Sequence, residues 1–250
     1  MSASRAGIGK KRQLRSLAAV SLILLMVTGL IFGASLLRQA GGGEEVLAAA
    51  GKALYTGDIR SRVIVDPGHG GFDGGAIGVG GVIEKDINLA FSLPMRDFLA
   101  VMGYIPILTR TEDTGLDSGE GTIRQKKRED LQARLALMSA DEQVPVIMIH
   151  QNIFTQSKYF GAQMFYGTQN AASKELAERL RQAVVDYLQP DNSRELKKAT
   201  SDVWLLVNCP APVVMVECGF LSNPEECALL QQTEYQRKFA FVLAAAVGGG

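Results

Sequence analysis

The stretch Val63-Ile64-Val65-Asp66-Pro67-Gly68-His69-Gly70-Gly71 decides how this chain is read. Three β-branched apolar residues mark the end of a buried strand. Proline cannot continue a central ladder, so Asp66 and Pro67 close it. A histidine between glycines follows, where a strand of an α/β sheet opens into a loop. Ligands of such sheets gather at these strand ends. The chain has only two histidines, His69 and His150. The second closes another apolar run, Val146-Ile147-Met148-Ile149-His150. Two histidines at strand ends are what a metal site on a sheet edge needs.

Outward from this stretch, strands and helices alternate over residues 60–250, which predicts one α/β domain. Strands are expected at Val63–Asp66, Ile105–Thr109, Val146–His150, Ala162–Tyr166, Val203–Val207 and Val213–Glu217. A helix is expected from Glu84 to Met102, with Ile87, Phe91, Met95 and Phe98 on its buried face and Gly103 at its end. A second, highly charged helix spans Ile123 to Ser139, turning Leu131, Leu135 and Met138 inward. A third spans Ala171 to Leu188. Ser222-Asn223-Pro224-Glu225-Glu226 starts another, with Asn223 as cap, Pro224 in the first turn and acids at the positive dipole end.

The 250 residues carry no net formal charge, but the charge is unevenly spread. Residues 1–40 hold six of the 26 basic side chains and none of the 26 acidic ones, leaving 20 against 26 beyond. That acidic remainder argues against nucleic-acid binding, which needs a basic face. Residues 17–37 are free of charge, and their 21 positions match the roughly 20 apolar residues that cross a bilayer as a helix. Arg5, Lys10, Lys11, Arg12 and Arg15 precede them, which keeps the N-terminus cytoplasmic and delivers the rest outside. A cleaved signal peptide is the rival reading; its apolar region is shorter, and Ala48-x-Ala50 lies far past the run. The expected organisation is a basic cytoplasmic tail (1–16), a membrane anchor (17–37), a linker (38–59) around Gly41-Gly42-Gly43, and the α/β domain (60–250). The three cysteines, Cys209, Cys218 and Cys227, make neither a disulfide framework nor a C-x-x-C pair and read as small buried residues.

A catalytic zinc takes three protein ligands and keeps one position for water. His69 and His150 supply two imidazoles. Glu84, at a helix start after the glycine loop, is the carboxylate placed to reach back over the strand ends. Two His and one Glu form a known hydrolytic zinc set. Glu217 ends the apolar run Val213-Val214-Met215-Val216, where a carboxylate suits a proton shuttle better than packing. Taken singly, each has a plainer reading: a hydrogen-bonded histidine, a dipole partner at a helix start, a surface ion pair. The basic run Arg124–Arg128 reads as a solvated helix face or as a contact for an anionic substrate. No Gly-x-Ser-x-Gly, His-Glu-x-x-His or phosphate loop is present.

Asp66-Pro67-Gly68-His69-Gly70-Gly71, Glu84-Lys85-Asp86-x-Asn88-Leu89, Thr109-Arg110, Ile149-His150-x-Asn152 and Glu217-x-Gly219-Phe220-Leu221-Ser222-Asn223 occur in that order. Together they resemble the zinc-dependent N-acetylmuramoyl-L-alanine amidases of the bacterial cell wall, over about residues 60–245. The resemblance implies a central, mostly parallel sheet of about six strands flanked by helices. It implies a Zn2+ ion on His69, Glu84 and His150, Glu217 as the catalytic glutamate, and Asn152 facing substrate. The implied reaction is hydrolysis of the amide between N-acetylmuramic acid and L-alanine in peptidoglycan. The short single-domain form with an N-terminal anchor, and the helix bearing Lys127-Arg128-Glu129-Asp130-Leu131 and Arg134, resemble the germination-specific spore-cortex subfamily, whose action leads to muramic-δ-lactam. Met148 departs from the family pattern, where serine precedes Ile-His. Regulation is expected from expression or a partner protein. The competing function is a peptidoglycan-binding scaffold that keeps the metal site without turnover.

Overall fold

A computed structural model of the chain describes residues 62–248. The expected tail, anchor and linker lie outside them. Among the described residues no helix is long and apolar enough to cross a membrane.

The elements run β1 (Arg62–Pro67), α1 (Glu84–Val101), β2 (Ile105–Leu108), α2 (Ile123–Met138), β3 (Val146–Asn152), β4 (Gln163–Tyr166), α3 (Ala172–Tyr187), β5 (Lys197–Lys198), α4 (Trp204–Asn208), β6 (Val213–Phe220), α5 (Pro224–Leu230) and α6 (Thr233–Val247). The six strands form one sheet in the order β2-β1-β3-β6-β4-β5. All neighbours are parallel except β4 and β6, which are antiparallel. The chain leaves β1 for β2 on one side and returns to β3 on the other. The carboxyl ends of β1 and β3 therefore flank the point where the winding reverses, the ligand crevice of an open α/β sheet.

Side chains alternate across the central strands as the two-residue period requires. Val63, Val65, Ile147, Ile149, Val214, Val216 and Cys218 point to one face, packed with Phe91, Met95 and Leu99 of α1, Leu180 of α3 and Phe239 of α6. Ile64, Val146, Met148, Val213 and Met215 point to the other, with Met138 of α2 and Leu205 and Leu206 of α4. Continuous apolar runs in β1, β3 and β6 follow from burial on both faces.

Helix ends follow their sequence signals. Helix α2 opens on a reciprocal capping box between Thr122 and Gln125. Asn223 caps α5, accepting from the N–H groups of Glu225 and Glu226, with Pro224 in the first turn. After α1, which runs on through Pro94, Gly103 turns at φ 90°. The N–H groups of Gly103 and Tyr104 donate to Ala100 and Leu99, closing a Schellman end. All three cysteines are buried and free.

One element departs from expectation. Val203–Val207, expected as a strand, lies in the region of helix α4. Short apolar runs do not separate the two states by pattern. The adjacent residues Leu205 and Leu206 are both buried, which a strand with one packed face would not allow. The sheet edge is instead Lys197–Lys198, a two-residue, exposed strand. Short, lysine-bearing edges protect a sheet from further pairing.

Candidate metal centre and active site

His69 leaves β1 with φ 62°, the single non-glycine residue of positive φ among the described residues. This left-handed conformation is costly for a side chain with a Cβ, so the surroundings must impose it. Two buried arginines do so. Arg134 of α2 donates to the carbonyls of Pro67 (3.1 Å) and His69 (2.6 Å). Arg110 donates to those of Pro67 (3.0 Å) and Gly68 (3.1 Å). The turn then aims the imidazole over the sheet end.

Glu84 is buried at the first residue of α1, and its carboxylate meets both histidines. Glu84 Oε2 lies 3.3 Å from His69 Nε2, and Oε1 lies 3.0 Å from His150 Nδ1. Backbone N–H groups hold the same carboxylate: Ala76 donates to Oε2 (2.8 Å) and Gln151 to Oε1 (3.1 Å). Asn88, one turn along α1, donates to Oε1 at 3.3 Å and to the Gly68 carbonyl at 3.1 Å. The imidazoles meet edge to face with centroids 5.0 Å apart. One potential ligand atom from each of His69, Glu84 and His150 falls within 4.8 Å of the others.

Asp73 completes the setting: its Oδ2 lies 3.0 Å from His69 Nδ1. A carboxylate on one ring nitrogen fixes the tautomer and leaves Nε2 for a cation. Burial works against a charged His69, but the hydrogen bonds to Asp73 and Glu84 outweigh it and push the pKa up to about 9. Glu84, despite burial, is held well below the usual carboxylate range by His150 and His69. The site is thus built to hold positive charge between its carboxylates.

Glu217 sits beside His150 as its register partner in β6. A bulge follows immediately, since Asn152 pairs with Phe220, three residues past Glu217. Bulges re-aim side chains next to active sites. Burial pushes the Glu217 carboxyl up to about 7, opposed by His150 and reinforced by the negative Glu84. Its Oε2 is buried without a hydrogen-bond partner. Glu226 is the instructive contrast: buried, it accepts from the N–H groups of Gly161 (2.8 Å) and Phe220 (2.7 Å), a structural clamp.

The residues fit a divalent cation. Three donors converge from β1, α1 and β3, and glycines keep the space open. A Cβ on Gly68 would overlap the His150 ring, and one on Gly75 would lie 2.5 Å from Glu84 Oε2. Two imidazoles and a carboxylate suit a borderline cation such as zinc.

A profile of the N-acetylmuramoyl-L-alanine amidase family matches residues 63–248. The chain belongs to this family. The germination-specific N-acetylmuramoyl-L-alanine amidase of Bacillus subtilis is 37% identical over 196 residues, covering 78% of this chain and 77% of the relative. The amidase AmiA of Salmonella typhimurium is 31% identical over 236 residues, covering 77% and 76%. Among solved structures, the CwlD amidase of Clostridioides difficile, determined in complex with the GerS lipoprotein, superposes with a TM-score of 0.72 at 39% identity. That match covers 75% of this chain and 96% of the other.

In this amidase the structure brings His69, Glu84 and His150 together and sets Glu217 beside them. Asn152 lies two residues past His150, where its carbonyl accepts from the N–H of Leu221 (2.8 Å). Sequence reasoning missed Asp73, Arg110 and Arg134 as supports of the centre. A carboxylate four residues after His69 was the available signal for Asp73. Arg110 and Arg134 stood among the residues that carry the family resemblance, but no role could be read for them, because their targets are backbone carbonyls distant in sequence. Gly75 supports a direct prediction, since its φ is 70° and its Cβ position is filled by Glu84 and His69. Gly75→Ala is expected to weaken metal affinity by about tenfold or more, as loss of ligand support does. Competition with a chelating indicator measures it.

Proposed function

We propose that this amidase is zinc-dependent, with His69, Glu84 and His150 as ligands, Glu217 as the proton-transfer group and Asn152 facing substrate. The observation that carries the reading is Glu217: a half-buried carboxylate with its Oε2 enclosed and without a hydrogen-bond partner, raised to about 7, beside a cation-ready trio. Zinc held there supplies Lewis-acid polarisation of the scissile carbonyl and of the attacking water. Glu217 takes the water proton and returns it to the nitrogen of the departing L-alanine. His69 stays oriented through Asp73, and Glu84 through two N–H groups and Asn88.

The biological setting we propose is spore-cortex maturation, in which freed muramic acid is converted to muramic-δ-lactam. Likeness to the germination-specific enzyme supports it. We further propose that residues 17–37 anchor the chain with the amidase domain outside the cytoplasm. The charge-free run behind five basic residues supports this. A regulatory protein partner is proposed on the likeness to CwlD, which was solved in complex with the GerS lipoprotein.

The test uses peptidoglycan fragments and mass spectrometry. Peptides beginning with free L-alanine are expected, abolished by chelation and restored by one equivalent of zinc. Activity that survives complete metal removal would sink the zinc assignment. Wall binding without product would favour the scaffold.

A further inference from the structure

Helices α2 and α4 leave a groove of about 440 Å³ lined by Arg124, Lys127, Arg128, Leu131, Gln132 and Trp204. That size is ordinary for a small-ligand pocket. Helix α4 is pinned by the buried Leu205 and Leu206, yet Trp204, the chain's only tryptophan, stays 40% exposed along this groove. The opposite wall is cationic. Arg124, Lys127 and Arg128 fall at the i, i+3 and i+4 positions of one helix face, where like charges repel. Among the described residues, only Lys127 of the three has a carboxylate within ion-pair distance. That carboxylate is Asp73 (3.2 Å), the group that orients His69. The groove thus begins one side chain away from the candidate metal centre.

We propose that this groove binds the stem-peptide arm of the substrate through its free carboxylates, with Trp204 and Leu131 packing against the peptide's aliphatic parts. The proposal rests on the amidase reading and says which half of the substrate lies where. Charge decides the assignment. Once the lactyl carboxyl of muramic acid is tied up in the amide, the N-acetylated glycan is uncharged, whereas the stem peptide keeps free carboxylates. A cationic wall discriminates for the second and not the first. A part-exposed indole on the groove wall adds apolar contact at small entropic cost.

Trp204 itself reports on the groove. Fluorescence of the full-length chain is titrated with the tripeptide L-alanyl-D-glutamyl-diaminopimelate and with the same peptide fully amidated on its side-chain and terminal carboxyls. A saturable change is expected with the acidic peptide, with affinity about tenfold weaker after amidation, the scale of one lost ionic contact. Arg124→Gln/Arg128→Gln, both exposed positions, is expected to erase that difference. No saturable change, equal affinity of the two peptides, or undiminished discrimination in the double variant would overturn the proposal. Muropeptide cleavage is measured in parallel. Cleavage without a fluorescence response removes the groove and leaves the amidase; discriminating peptide binding without cleavage does the reverse.

Discussion

Glu217→Gln is expected to lower the amidase kcat by about 10² to 10⁴-fold, the range that a positioned acid–base group supplies. The amide keeps the size and polarity of the carboxyl but holds no proton to exchange. Under the proposed role Glu217 must be ionised to accept the water proton, so activity rises with pH through its pKa. Burial sets that pKa at about 7, and a cation in the neighbouring trio favours the carboxylate and moves the limb to lower pH. The glutamine variant should lose this limb along with its rate. Stability moves the other way. A carboxyl raised from 4.5 to about 7 binds more protons folded than unfolded, so in metal-free protein it costs stability increasingly as pH rises across that window. Glu217→Gln should therefore raise the Tm of chelated protein at pH 8 and leave it near wild type at pH 4. A variant with wild-type kcat would remove Glu217 from the reaction. A variant that fails to fold would be exposed by its Tm.

The fold was legible where the pattern was strong. Three double-sided apolar runs marked β1, β3 and β6; helices α1, α2 and α3 showed in their periodicity, α1 also in its closing Gly103, and α5 in its Asn223 cap. Edge elements were not. Lys197–Lys198 carries no apolar alternation because nothing packs on an edge of two exposed residues. Val203–Val207 satisfied a strand pattern, and only its packing on the α2 face makes it helical.

The metal trio was legible for a related reason. His69 and His150 end strands that the apolar runs made visible, and Glu84 opens a helix whose start was readable. Strand and helix termini converge at the winding reversal, so sequence position predicted spatial position. The supports were hidden because they act on backbone. Arg134 reaches a carbonyl 65 residues away, and Arg110 reaches one 42 away. Nothing in the identity of an arginine announces such a partner. Asp130, which also binds Arg134, showed only as part of a charged helix.

Arg134→Met is expected to cost about 3–5 kcal/mol, the penalty for leaving one member of a buried ion pair alone. The guanidinium is fully enclosed and donates to Asp66 (2.5 Å) and Asp130 (2.8 Å) besides the two carbonyls of the His69 turn. Asp66 and Asp130 are left behind, and Asp66 is the more deeply enclosed of the two. Burial alone would raise its pKa; Arg134 and Thr109 bring it below its ordinary 3.8. In wild type, therefore, the pair contributes stability above about pH 4, and that contribution is lost as pH falls through the depressed value. With Arg134 removed the sign inverts, because an unpaired buried carboxyl prefers its proton; the variant should gain relative to wild type as pH falls. Adding Asp66→Asn removes the more enclosed of the two stranded charges, while Asp130 keeps the Leu116 N–H as a donor, so the double variant should recover part of the lost Tm. Metal affinity should not recover with it. The carbonyl of His69 still lacks its 2.6 Å donor, and φ 62° at His69 is no longer imposed from that side. Thermal unfolding and metal competition on the same three proteins separate the two roles. If Tm and metal affinity recover together, Arg134 serves only the core, and the His69 turn is held by Arg110 alone.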